Sequence, residues 1–158
     1  MNITALGMLI PDEEEKGQLR SKLIPIPLLN DLPLHFIVAD SGENNEPDFK
    51  RAVEAFLALG AEAKERASTL VYNNFLELRE AMCYDDVGCE VKSEAKVWDH
   101  VHPTDVYVFR RREDGKVYVQ VLAECDWERE HGLQLIFQDD SFLTNVSDQC
   151  GAFAWRES

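Results

Sequence analysis

The sequence predicts an α+β fold, in which antiparallel β-sheet structure carries two central helices packed on one face and ends in a C-terminal β-meander. Three observations predict it. Apolar residues alternate in the first forty positions, recur at helical spacing over 46–82, and alternate again over 97–150. At 158 residues the chain fits a single domain spanning 1–158. A chain of this size buries about 68–70% of its unfolded surface, so it needs neither metal nor disulfide to fold.

The N-terminal strands come first. "ITALGMLIP" reads as a short extended run and "PDEEEKGQ" as an exposed acidic turn. In "LRSKLIPIPLL", Leu23, Pro25 and Pro27 face opposite to Lys22, Ile24, Ile26 and Leu28. Each proline removes a ladder donor, so this strand is expected at an edge or bulged near Pro25 and Pro27. "PLHFIVAD" reads as a third strand with Leu34, Phe36 and Val38 on one side.

Then the period changes. Asn45 is placed to cap a helix whose first turn holds Glu46, Pro47 and Asp48, acidic groups suited to the positive end of the helix dipole. Phe49, Val53, Phe56 and Leu57 form its apolar face, and Gly60 offers a C-terminal stop. A second helix is predicted from about Glu62 to Met82. Its inner stripe is Ala63, Ala67, Leu70, Val71, Asn74, Phe75, Leu78 and Met82. "CYDDVGCEVKSEAK" reads as a polar loop ending in a short turn near Val97 and Trp98. "TDVYVFRR" and "KVYVQVLAE" then flank "REDGK", where Asp114-Gly115 is the strongest hairpin signal in the chain. "LQLIFQ" and "FLTNVSD" complete a four-stranded meander.

Charge bounds the partners. The chain carries 30 acidic and 16 basic residues, a net charge of −14. Such a surface repels nucleic-acid phosphates, which binders meet with Lys and Arg, and it attracts basic proteins or cations. No apolar run approaches the roughly 20 residues that span a bilayer. The first residues lack the basic segment of a secretory signal. Cys83, Cys89, Cys125 and Cys150 form no C-x-x-C pair and no zinc pattern. They read as reduced thiols of a cytoplasmic protein, with a Cys83–Cys89 disulfide as the weaker alternative.

"CDWEREHG", residues 125–132, gathers the chemistry-bearing residues. Continuing the preceding strand places Val117, Val119, Val121, Ala123, Cys125 and Trp127 on one face, and Tyr118, Gln120, Leu122, Glu124, Asp126 and Glu128 on the other. Trp127 is expected to anchor the turn in the core with its indole N–H bonded to an acceptor. Glu128 or Glu130 would cap turn donors, His131 would bond a carboxylate or carbonyl, and Gly132 would take a positive φ. The rival readings are chemical. Asp126, Glu128, Glu130 and His131 offer ligands to a hard cation such as calcium or magnesium, although no EF-hand pattern is present. Cys125 with His131 is a nucleophile–base pair without a third orienting group. His100 and His102, at i and i+2, would point the same way on a strand, as metal-binding histidines do, but before Pro103 they are read as a surface pair in an extended loop.

"VWDHVHPTDVYV", "DGKVYVQVLAE" and "CDWEREHGLQLIF" together resemble the C-terminal signature of a bacterial domain family of unknown function, C-D-W-E-x-E-H-G-L-x-L-x-F. The carriers are Trp98, Val101, Cys125, Asp126, Trp127, Glu128, Glu130, His131, Gly132, Leu133, Leu135 and Phe137. The family's F-x-D-G turn reads "FQDD" here, with Asp140 in place of glycine. The resemblance implies no activity. Small acidic domains of this kind are similar to immunity or accessory proteins of bacterial conflict systems.

The function expected is therefore that of a non-enzymatic, acidic protein-binding domain that engages a basic protein. Its binding residues are Asp126, Glu128, Glu130, His131, Asp139 and Asp140, with a separate acidic run at Asp12, Glu13, Glu14 and Glu15. Trp98, Cys125, Trp127 and Gly132 are structural, and no catalytic residue, resident metal or cofactor is assigned. The alternative is a metal-dependent enzyme or cation-binding domain built on Asp126, Glu128, Glu130 and His131. A third reading is self-assembly through the edges "FLTNV" or "LIPIPLL"; the oligomeric state is not legible.

Overall fold

A computed structural model of the chain describes residues 2–13, 17–39, 46–82, 89–138 and 143–149. The expected extended run at the N-terminus is broken into three two-residue strands: β1 (Asn2–Ile3), β2 (Gly7–Met8) and β3 (Ile10–Pro11). A 3-10 turn over Thr4–Leu6 separates the first two, which pair with each other. Then come β4 (Gln18–Ile26), β5 (Leu32–Ala39), helices α1 (Glu46–Leu57) and α2 (Ala61–Ala81), and β6 (Val101–Arg110). The chain continues through β7 (Val117–Cys125), β8 (Leu133–Gln138) and β9 (Leu143–Ser147).

The N- and C-terminal strands join in one seven-stranded sheet, ordered β3-β4-β5-β6-β7-β8-β9. All neighbours are antiparallel except β5 and β6, which pair in parallel from Phe36↔Val106 to Val38↔Val108. A parallel pair needs a long crossover, and the stretch containing α1 and α2 supplies it. The meander over β6 to β9 is as the alternation predicts, and Gly115 takes φ 71° in the β6–β7 turn.

The bulge in β4 falls between Arg20 and Leu23, ahead of the prolines. Ser21 is the reason. Its hydroxyl accepts from Phe36 N–H at 2.8 Å and donates to Lys22 C=O at 2.6 Å, and its carbonyl lies 2.8 Å from His35 Nδ1. A side chain thus replaces a ladder bond where the register slips. Pro25 is accommodated because β3 pairs only with Leu19 and Arg20, leaving the Leu23–Ile26 half of β4 with a single strand neighbour. Pro27 opens a 3-10 turn.

The core draws Phe36 and Val38 from β5, Val119, Val121 and Ala123 from β7, and Leu133, Leu135 and Phe137 from β8. Against these stand Phe49, Val53 and Phe56 of α1 and Ala67, Val71 and Phe75 of α2. Phe56 meets Phe36 edge-on at 6.1 Å and Phe137 at 5.2 Å. Such contacts add about 0.5–1.5 kcal/mol each to the burial itself.

Three helix expectations change. Gly60 is extended (φ −116°) and serves as the N-cap of α2, because the chain has already left α1 at Leu57. Met82 lies beyond the last turn of α2 and is 40% exposed. The turn expected at Val97 and Trp98 is a 3-10 helix over Glu94–His100. Asn45, Cys83 and the proposed disulfide, Cys150, Glu14, Glu15, Asp139 and Asp140 lie outside the described residues.

Candidate functional site

The turn between β7 and β8 is built from below by Trp127. Strand β7 ends at Cys125, so Asp126 and Trp127 already belong to the turn. Trp127 is 3% exposed, its ring meets Phe75 edge-on at 5.6 Å, and its Nε1–H donates to Asn74 Oδ1 at 2.9 Å. A second indole uses the same helix: Trp98 Nε1–H donates to Ser68 Oγ at 2.7 Å. Both tryptophans therefore satisfy their one donor on α2 while burying apolar surface.

Asp126 is held from the side. Its Oδ2 lies 3.0 Å from His100 Nδ1 and its Oδ1 3.0 Å from His102 Nε2. The expected extended loop is not what holds them: His100 ends the 3-10 helix and His102 lies in β6, and both reach the same carboxylate. Asp126 N–H donates to His100 C=O at 3.0 Å, which continues the β6–β7 ladder one step past the strand end. Burial alone would raise the Asp126 carboxyl, but hydrogen bonds from His102 and His100 outweigh it and hold it below the ordinary carboxylate range. The expected row of carboxylates Glu124, Asp126 and Glu128 on one strand face is thus broken, because Asp126 turns toward His100, at the end of the 3-10 helix, and His102 of β6.

Glu128 closes the turn on itself. Its Oε1 accepts from His131 N–H at 3.3 Å and lies 3.2 Å from His131 Nδ1, while its carbonyl accepts from Gly132 N–H at 2.8 Å. Gly132 takes φ 65°, and a Cβ there would come within 2.7 Å of Ala123 C=O and 2.6 Å of Gln149 Nε2. Both the torsion and the space exclude a side chain.

The segment after β9 completes the arrangement. Gln149 N–H donates to His131 C=O at 3.1 Å, and its side-chain Nε2 donates to Ala123 C=O at 2.8 Å and Leu133 C=O at 3.3 Å. Asp148 is thereby brought to the turn: one ligand atom each from Glu128, His131 and Asp148 lie within 4.8 Å of one another. Neither Asp126 nor Glu130 belongs to this group, and Glu130 is exposed. The predicted hairpin of β8 and β9 returns the chain to the start of β8, but its register, Gln134 opposite Ser147, is what sets Asp148 and Gln149 beside His131, and that register is not legible in the sequence.

Cys125 is poorly suited to nucleophilic work. It is 2% exposed, burial pushes its thiol up to about 11, and Sγ–H faces Glu128 C=O at 3.9 Å. The thiolate that such chemistry needs is therefore scarce near neutrality. No helix among the described residues is long and apolar enough to cross a membrane.

No curated protein and no solved structure matches the chain. A family model described as "Domain of unknown function (DUF6985)" matches residues 7–153, nearly the whole length. The chain belongs to the DUF6985 family.

Proposed function

We propose that this domain is a non-enzymatic, acidic binding module for a basic protein, working in the cytoplasm in an immunity-like or accessory role. The observation that carries the reading is the division of labour among the carboxylates at the end of β7 and in the turn after it. Asp126 and Glu128 are engaged with His100, His102 and His131, whereas Glu124 and Glu130 are exposed on a chain of net charge −14. Exposed like charges raise the encounter rate with a basic surface. The buried, high-pKa Cys125 weighs against a nucleophilic enzyme at the same turn.

In this reading α1 and α2 cover one face of the sheet as scaffold, and the turn that Trp127 fixes to α2 presents the acidic rim. The rim would be rigid, so partner binding would cost little ordering entropy. Nucleic acid is a poor partner on charge grounds.

Affinity capture from native lysate at about 0.1 M and 0.5 M salt, where screening lengths differ by roughly twofold, tests the proposal. Wild-type protein should retain a basic partner at low salt. The Glu124→Lys/Glu130→Lys variant, with an unchanged far-UV spectrum, should lose it. A partner retained equally by the variant and at both salt levels would remove the electrostatic reading.

A further inference from the structure

The group formed by Glu128, His131 and Asp148 is independent of the acidic rim. Its members come from the two ends of the β8–β9 hairpin, with ligand atoms inside a 4.8 Å span. The imidazole is the telling member. An all-carboxylate cluster would be an ordinary acidic patch, or at best a hard-cation site; one nitrogen and two oxygens form the mixed set that zinc and its neighbours accept.

Distances agree with that chemistry. Two ligands each about 2.0–2.1 Å from a tetrahedral ion stand roughly 3.3–3.4 Å apart. Glu128 Oε1 and His131 Nδ1 are 3.2 Å apart. Asp148 offers a carboxylate oxygen within 4.8 Å of both, so a third ligand is at hand.

The frame is also set in advance. His131 N–H donates to Glu128 Oε1, Gln149 N–H donates to His131 C=O, and the Gln149 amide ties Ala123 and Leu133 carbonyls to the same segment. These bonds orient two ligands and bring the segment of the third beside them, a role that outer-sphere partners play in metal sites. The His131 side chain is 40% exposed and that of Glu128 22%, so an ion has a path from solvent and a position for water.

We infer that Glu128, His131 and Asp148 form a three-ligand site for a zinc-class divalent cation, with solvent completing its coordination. On binding, Nδ1 of His131 offers its lone pair to the ion and the ring proton resides on Nε2. The ion cross-links the β7–β8 turn to the chain after β9.

The test is titration of untagged, chelator-stripped protein with Zn2+ alone by calorimetry, and with Co2+ alone by visible absorption. One ion per chain should bind, and Co2+ should give the intense visible bands of a four-coordinate centre. Asp148→Asn and Glu128→Gln should each weaken binding by at least about tenfold, and His131→Ala should abolish the Co2+ bands. Glu130→Gln and Asp126→Asn should leave the affinity within about twofold. Because Asp148→Asn removes charge without volume, its fold can be checked by circular dichroism before titration. Absence of saturable binding up to 100-fold molar excess overturns the site, as does equal weakening by Glu130→Gln, which marks diffuse attraction to acidic surface.

Discussion

Trp127 donates its indole N–H to Asn74 Oδ1 at 2.9 Å, so the turn after β7 is bolted to a helix 53 residues earlier. Replacing Asn74 by Leu strands a buried donor, which costs about 1–3 kcal/mol. Trp127→Phe removes the donor and part of the packing against Phe75. The double variant should therefore lose less than the two single losses together. Urea denaturation of the four proteins gives the coupling directly, and additivity within about 0.3–0.5 kcal/mol would mean that the bond contributes nothing.

Gly132 and Gly115 separate two kinds of glycine requirement. Both have positive φ, 65° and 71°, but only Gly132 faces a backbone oxygen at 2.7 Å from a built Cβ, while Gly115 has nothing within 4 Å. Gly115→Ala should cost about 1–2 kcal/mol, the price of the left-handed torsion alone. Gly132→Ala should cost clearly more, since Ala123 or the turn must also move. Equal midpoint shifts in urea would show that the β7–β8 turn yields without resistance.

What was legible in the sequence follows the range of the signals. The alternation Val117 to Cys125 and the Asp114-Gly115 turn are local, and both the inward stripe and the meander match them. Trp127 inward, Glu128 capping and Gly132 at positive φ are consequences of that local pattern. The His100–Asp126–His102 arrangement is different, because it depends on register. From the Phe109↔Tyr118 pair, a regular ladder would set Asp126 opposite Val101. The irregularity between Pro103 and Asp105 shifts the pairing by one and brings His100 there instead. The position of the β4 bulge is displaced for a similar reason: the prolines are visible in sequence and place it near Pro25, but the Ser21 bond to Phe36 is made across strands. The return of the chain toward His131 follows from the predicted β8–β9 hairpin, but the register that sets Asp148 and Gln149 there does not.

Cys125 supplies a chemical prediction. With its thiol buried and pushed up to about 11, alkylation by iodoacetamide at pH 7.5 should leave it unmodified for hours in native protein. Cys89, partly exposed, should react before Cys125. Peptide mass spectrometry after brief labelling, with and without urea, assigns each site. Rapid native labelling of Cys125 would show that the turn opens often, and would restore the cysteine as a candidate nucleophile.

Ser21 should behave as a structural residue in the same manner as Asn74. It is 4% exposed, and its hydroxyl satisfies Phe36 N–H inside the sheet. Ser21→Ala leaves that N–H without its partner and should cost about 1–3 kcal/mol. Ser21→Thr keeps the hydroxyl and should recover part of the loss if the added methyl fits. Amide hydrogen exchange reads the site itself: Phe36 N–H should exchange faster in the alanine variant, while Val108 and Val119 in the neighbouring strands keep their protection. Unchanged exchange at Phe36 would mean that water replaces the hydroxyl at no cost.

Asp126 gives the pH dependence. Its folded carboxyl lies below the ordinary range because hydrogen bonds from His102 and His100 outweigh the opposing effect of burial. The unfolded chain, with an aspartate near pKa 3.9, therefore takes up its proton at higher pH than the folded chain does. The stabilisation is complete above that unfolded value and is lost as the pH falls through the lower folded one. Asp48, held down first by its hydrogen bond from Arg110, titrates in the same window. Asp114 does too, its burial outweighed by bonds led by Tyr118. Wild-type stability should thus fall steeply below about pH 4. Asp126→Asn should flatten part of that slope, and the double substitution His100→Gln/His102→Gln should flatten it similarly while keeping the carboxylate. Urea midpoints from pH 2.5 to 6 measure it. If the asparagine variant follows the wild-type slope throughout, the histidines do not hold the carboxylate in solution, and the side of the turn facing β6 is free to move.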